Sequence, residues 1–272
     1  MAVKINFNAE AAKTHTALIY NERLMGKSLL RLSTGVRILN ASDDAAGLYI
    51  ADMLGTIAAA LEQGNANIQT GISALQIAES AAGQIYTKLQ EIYIRAQRAA
   101  NDINSPEARE ALQAEIDNFI DAIDKIATDT EYNGIKLLNG DFTNKVIHYG
   151  PRKGQTVEVS ISALDSTSLG IEDISVTSNT DAEDALEAVQ SAINTVDTVR
   201  SQIGAIMNNL QAIFDAQKVA YDNTKEAESV IRNTDYAKEM ADFVSYQIRM
   251  QATVAMLAQA NTLPQLVLQL MK

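Results

Sequence analysis

The sequence predicts a mainly α protein, a long antiparallel helical coiled-coil rod built from discontinuous N- and C-terminal segments, with a small β-hairpin insert. Three observations carry that expectation. Apolar residues recur in alternating three- and four-residue steps over most of the chain, which lays them along one face of a helix. The 272 residues are 47% hydrophobic but only 5% aromatic, with no Trp and 3 Pro, a composition that favours uninterrupted helices over an irregular globule. One segment, about 135–178, breaks the helical texture with extra glycine and the alternating run Thr156-Val157-Glu158-Val159-Ser160-Ile161-Ser162, which reads as strand. That insert sits mid-chain, so the two ends must return to the same place.

The first helix is marked by Phe7, Ala11, Thr14, Leu18, Asn21, Met25, Ser28 and Leu32 on one face. Several of these are small or polar, so the seam makes a poor core, and the ends of an isolated subunit are expected to be largely disordered. Gly35 offers a stop, and Asn40-Ala41-Ser42-Asp43-Asp44 supplies capping oxygens and acids for the positive end of a second helix. Its seam runs from Leu54 and Ile57 through Leu61, Gly64, Ile68, Leu75, Ala82 and Leu89 to Ala99, close to a heptad repeat. A helix of about 55 residues would be about 80 Å long. The small residues Gly64, Gly71, Ala78 and Ala82 are expected to allow close helix approach and small axial shifts between two packings.

Ser105-Pro106-Glu107 restarts the helix with a cap, a first-turn proline and a first-turn acid. Leu112, Ile116, Phe119, Ile123 and Ile126 form the stripe of that third helix, and Asn133-Gly134 closes it with a turn that tolerates positive φ. Helical spacing resumes near Asp181, from Leu186 and Val189 to Leu210 and Ile213, and continues more weakly through Ile231, Met240, Val244 and Ile248.

Charge and chemistry exclude several functions. The net charge of -12 argues against a nucleic-acid partner, because phosphate binding needs clustered positive charge. The charge is uneven: Lys4, Lys13, Arg23, Lys27, Arg31 and Arg37 face only Glu10 and Glu22 in the first 40 residues. Opposite signs on parts of one chain suit head-to-tail packing between copies, while the acidic remainder opposes binding to an anionic membrane. No stretch is expected to reach the roughly 20 apolar residues of a membrane span, and the N-terminus lacks a signal-peptide pattern. Cysteine is absent, which removes disulfides, thiolate metal sites and thiol nucleophiles. His15 and His148 stand apart without neighbouring ligands, and Asp43-Asp44 is followed by Ala45-Ala46-Gly47 rather than by a calcium-loop pattern. No phosphate-cradling glycine pattern or nucleophile elbow occurs, so no catalytic, cofactor or metal residues are expected and the chain reads as a non-enzyme.

The run from Leu29 to Leu48, Leu-Leu-Arg-Leu-Ser-Thr-Gly-Val-Arg-Ile-Leu-Asn-Ala-Ser-Asp-Asp-Ala-Ala-Gly-Leu, closely resembles the N-terminal signature of bacterial flagellins. Ala227-Glu228-Ser229-Val230-Ile231-Arg232-Asn233-Thr234-Asp235-Tyr236-Ala237 and Met256-Leu257-Ala258-Gln259-Ala260-Asn261-Thr262-Leu263-Pro264-Gln265 resemble the C-terminal pattern, and Tyr132-Asn133-Gly134-Ile135-Lys136-Leu137-Leu138 another family landmark. The resemblance implies a short, core-only flagellin lacking large outer domains. Residues 1–44 and 233–272 would pair as the inner coiled-coil layer of a filament, and 45–232 would form a surrounding rod. It further implies export unfolded by the flagellar type III apparatus, an extracellular place in the flagellum, and no membrane insertion. The partners would be other copies of the chain, an export chaperone, a filament cap and hook-filament junction proteins; a junction protein is itself the alternative reading.

Leu18, Met25, Leu32, Ile57, Leu61, Ile68, Leu210, Ile231, Val244, Ile248 and Leu257 are expected at the assembly interface. The resemblance also locates the equivalents of a site read by the animal flagellin receptor at Leu89, Glu91, Tyr93, Arg95 and Glu115. Glu91 and Tyr93 stand where recognised relatives have Arg, and Arg95 where they have Leu, while Glu115 matches. A reversed charge at a buried interface is left unpaired or opposed, which implies reduced recognition.

Overall fold

The computed structural model describes the backbone of residues 7–270 and the side chains of 7–262. In chain order the elements are α1 (Ala9–Thr34), α2 (Ala45–Ala99), α3 (Pro106–Asp129), β1 (Glu131–Tyr132), β2 (Ile135–Lys136), β3 (Lys145–His148), β4 (Thr156–Val159), α4 (Ser166–Leu169), α5 (Asn179–Arg232) and α6 (Tyr236–Leu270). They form two compact units, Met1–Thr56 with Asn223–Lys272, and Ile57–Asp222. The expected borders at 44/45 and 232/233 fall at helix breaks. The first unit also takes in the opening turns of α2 and the closing turns of α5.

Local chemistry sets the helix ends. Gly35 closes α1 at φ 71°, its N–H donating to the Arg31 carbonyl at 2.8 Å, a conformation that glycine adopts without a Cβ penalty. Asp44 accepts from the Gly47 N–H at 2.9 Å and caps α2. A Cβ on Gly47 would overlap the Asp44 carboxylate and crowd Ile38, so the cap depends on that glycine. Ser105 accepts from Ala108 N–H at 3.3 Å, with Pro106 opening α3. Asn133 (φ 51°) and Gly134 (φ 77°) make the two-residue turn that joins antiparallel β1 and β2, as an Asn-Gly hairpin requires.

The second unit is built on one continuous core. Ile68, Leu75, Ile85, Leu89 and Ile92 of α2, Ile116 and Ile123 of α3, and Val189, Val196, Ile203 and Leu210 of α5 are buried together with Leu137, Leu138, Ile161, Leu164 and Ile171 of the insert. β3 and β4 pair antiparallel, Lys145 with Val159 through His148 with Thr156. Polar clamps fix the insert. Gln113 on α3 donates to the Ile174 carbonyl at 3.0 Å and accepts from Val176 N–H at 2.8 Å. Asp124 accepts from the Ser166 N–H and hydroxyl at 2.7 and 2.8 Å.

The structure corrects the role expected for two small residues of the α2 seam. Gly64 and Gly71 do not meet a second helix. A Cβ on Gly64 would overlap the Tyr149 carbonyl oxygen, and one on Gly71 would overlap Ile147. Their missing side chains let the β3–β4 hairpin lie against α2, where Asn67 donates to the His148 carbonyl at 2.8 Å.

The expectation that no stretch approaches a membrane span is also corrected. An 18-residue window within α2 reaches a mean hydropathy of 1.3, long and apolar enough by length and composition, and only 22% of it is buried. Its alanines add to that hydropathy without supplying large side chains to a core.

Candidate assembly interface

In the first unit α1 and α6 run antiparallel with closely approaching backbones. Asn8 donates to the Ala260 carbonyl at 2.8 Å, Asn21 to the Thr253 hydroxyl at 3.2 Å, and Ser28 to the Glu239 carbonyl at 3.3 Å. The Arg31 guanidinium lies 3.7 Å from the Glu239 carboxylate. The residues buried along this seam are small or polar: Ser28, Glu239, Thr253 and Ala260. Large apolar residues instead lie outside. Ile19, Tyr20, Leu29 and Leu30 on α1, and Met240, Val244, Ile248, Val254 and Met256 on α6, are all exposed.

A self-sufficient helical pair buries its apolar stripe fully and solvates its polar face; here the large apolar residues are at most half-buried along the seam or stand open. The sequence-expected residues divide accordingly. Leu18, Met25 and Leu32 are half-buried on the face of α1 that carries Asn21 and Ser28 toward α6. Ile57, Ile231 and Leu257 are half-buried, while Val244 and Ile248 stand open. Leu61, Ile68 and Leu210 are buried inside the chain; packing within their own subunit leaves them almost no surface for a neighbour.

Periodicity alone had passed over the exposed doublets Ile19-Tyr20 and Leu29-Leu30. A signal was present. Adjacent helical residues point about 100° apart, so an apolar doublet beside a single seam necessarily directs one side chain away from it. The same applies to Tyr49-Ile50 with Met53 at the start of α2, all exposed.

The loop after α1 is held by charge. Asp43 accepts from the N–H groups of Leu39 and Asn40 at 3.2 and 3.3 Å and pairs with Lys27 at 2.6 Å. The hydrogen bond from Lys27 holds the Asp43 carboxyl below its ordinary range despite the opposing effect of burial. In the same connection Arg37 donates to the Ile231 carbonyl at 2.7 Å, and Val36 pairs with Asn233. Arg232 reaches Asp52 at 2.6 Å and Glu228 at 3.1 Å.

Of the positions expected at a receptor site, Leu89 is fully buried in the second unit's core and cannot face a partner. Arg95 bridges Glu91 and Glu115, the latter at 3.0 Å. Its guanidinium lies 5.0 Å from the ring centroid of Phe119. Glu115, then Glu91, raise the Arg95 pKa above its ordinary value, so the network carries one fixed cation between two acids. Tyr93 is half-buried.

His15 and His148 are both exposed. Among the described residues, no three His, Cys, Asp or Glu side chains gather as metal ligands.

Residues 5–143 match the bacterial flagellin N-terminal helical region, and residues 186–271 the bacterial flagellin C-terminal helical region. The chain is similar to the flagellin of Aquifex aeolicus (strain VF5), 34% identical over 518 aligned positions that cover all of both proteins. It is 35% identical to the flagellin of Bacillus subtilis (strain 168), covering 99% of this chain and 100% of that one. Among solved structures, Bacillus cereus flagellin aligns with a TM-score of 0.51 at 25% identity, over 56% of this chain and 88% of that one. A Vibrio parahaemolyticus chain described as hook-associated aligns at 17% identity with a TM-score of 0.59, over 70% and 99%, a likeness of fold alone. With both terminal helical regions matched in order and relatives aligned along its whole length, this chain belongs to the bacterial flagellin family.

Proposed function

We propose that the chain is a structural subunit that leaves the cell unfolded through the flagellar type III apparatus and self-assembles into the extracellular flagellar filament. The observation that carries this reading is the α1–α6 pair, whose fully buried seam positions are small or polar while Ile19, Tyr20, Leu29, Leu30, Val244 and Ile248 stand exposed. Such a pair lowers its free energy by packing its outer stripes against other copies, because apolar area removed from water is the main driving term in association. Residues 1–44 and 233–272 would form the inner layer and 45–232 the rod around it. An export chaperone, a filament cap and junction proteins are the partners that this family's assembly requires. No catalytic step is part of the role, in keeping with structural relatives named flagellin.

A filament role is favoured over a junction role by relatives named flagellin or flagellar filament core protein, at 31–35% identity and with nearly complete coverage. Seeded polymerisation of purified protein, followed by electron microscopy, tests the reading. Long uniform helical tubes are expected, and short non-propagating caps on the seeds would instead mean a junction protein. The double variant Val244→Asp/Ile248→Asp should leave the monomer's helical content unchanged, since both side chains are exposed, and should abolish elongation.

A second reading concerns the animal flagellin receptor. The Glu91–Arg95–Glu115 network occupies its own cation internally, and a receptor acid brought against Glu91 would meet like charge. Reporter cells carrying the receptor should respond weakly or not at all. A response equal to that of a strongly recognised flagellin would overturn this reading.

A further inference from the structure

Methionine is the only sulfur-bearing residue of this cysteine-free chain, and it is unevenly placed. Among the described residues, Met25, Met53, Met240, Met250 and Met256 belong to the first compact unit, leaving Met207 alone in the second. Three of them are well exposed: Met53 at 45%, Met240 at 48% and Met256 at 57%. Met207 is half-buried against the second unit's core. Met240 also opens a stripe on α6, because Val244 and Ile248 follow at four-residue intervals and are exposed with it.

We propose that Met240, Met256 and Met53 are separate, reversible oxidation sites through which peroxide-class oxidants stop the free subunit from joining a polymer. The inference rests on the filament reading above. A thioether lone pair attacks one oxygen of hydrogen peroxide, the S–O bond forms and the O–O bond breaks. The departing hydroxide takes the proton from the new S–OH group, so the products are methionine sulfoxide and water, with sulfur oxidised by two electrons and peroxide reduced. The side chain changes from a flexible apolar group to a polar one with a strong acceptor oxygen.

In the free subunit the new oxygen can stay hydrated, since each of the three residues already has about half of its surface exposed. At an interface it cannot, because a buried sulfoxide oxygen must be desolvated, and at Met240 the next residue of the exposed stripe, Val244, offers no side-chain donor. Methionine sulfoxide reductases reverse the modification. The exposures set an order of reactivity, with Met53, Met240 and Met256 ahead of the half-buried Met25, Met207 and Met250.

Full-length subunits would be treated with hydrogen peroxide, mapped by peptide mass spectrometry, and added to seeds. Sulfoxide should appear first at Met53, Met240 and Met256, and elongation should slow at least tenfold, with recovery after treatment by the A- and B-type reductases. Met53→Leu/Met240→Leu/Met256→Leu should elongate after peroxide at its untreated rate, whereas Met207→Leu should remain as sensitive as the parent. Unchanged elongation with sulfoxide mapped at Met240 and Met256 overturns the inference and leaves the filament reading standing, as does equal sensitivity of the triple variant. Failure of untreated subunits to elongate overturns the filament reading itself, and the inference with it.

Discussion

Asp43 and Asp44 are neighbours in one loop with different duties. Asp44 caps α2 through the Gly47 N–H, and Asp43 ties the loop to Lys27 on α1. Because the folded state depresses the Asp43 pKa below its ordinary 3.8, its contribution is complete above the unfolded value and is lost as pH falls through the lower, folded one. Lys27 is partly exposed, so the pair is worth at most about 1 kcal/mol. Lys27→Ala should lower the unfolding midpoint at neutral pH and make no difference at a pH acid enough to protonate Asp43 in the folded state. Urea titrations at both pH values measure this. At Gly64 the constraint is steric: Gly64→Ala pushes a methyl group into the Tyr149 carbonyl, an overpacking expected to cost about 1–3 kcal/mol. Thermal unfolding of the variant checks it.

At the scale of elements, the insert and the terminal helices are stabilised in opposite ways. Alongside Asp124, the insert is clamped to α3 by the nitrogen and oxygen of the Gln113 amide, so Gln113→Leu leaves the Ile174 carbonyl and Val176 N–H unpaired. That loss should cost about 2–4 kcal/mol, read by chemical denaturation. The α1–α6 seam instead spends buried positions on polar pairs. Thr253→Val removes the acceptor of Asn21 and should destabilise the first unit by about 1–3 kcal/mol, whereas Asn21→Leu/Thr253→Val removes both partners and should restore most of the loss. A double-mutant cycle on the unfolding free energy separates the two. Much of this scale was legible in sequence: the caps at Gly35 and Ser105, the Asn133-Gly134 turn and the heptads of α2 and α5 all follow from short-range rules. The function of Gly64 and Gly71 was not legible, since a glycine in a helical seam looks the same whether a helix or a hairpin lies above it.

For the whole molecule, the two units differ in how they are held. Ile57–Asp222 encloses a continuous core of large aliphatic residues drawn from three helices and the insert, while the α1–α6 seam of the other unit buries Ser28, Glu239 and Thr253 and leaves Ile19, Leu29, Leu30, Val244 and Ile248 exposed. Local opening should therefore be cheaper in the terminal unit. Limited proteolysis of free subunits should trim α1 and α6 first and leave a resistant fragment near 57–222. Equal resistance of ends and core would mean that the polar seam suffices without neighbours, and the same digestion on polymerised protein should show the ends protected.

The sequence by itself determined the helical class, the place of each helix start and stop, the mid-chain insert and the family, because caps, turns and heptads are local and the family's signatures are contiguous runs of residues. It also determined that the two ends lie together. The α1 seam was legible as one face of the helix, but only the tertiary structure decided that α6 takes it up through hydrogen bonds from Asn21 and Ser28. The faces carrying Leu18, Met25 and Leu32 are turned inward beside Asn21 and Ser28, and the doublets Ile19-Tyr20 and Leu29-Leu30 are left outside. Periodicity ranks faces by apolarity, but two helices pack by fit and hydrogen bonding as well. Here the close approach of small and polar residues decides the pairing, which leaves the larger apolar surface for whatever binds next.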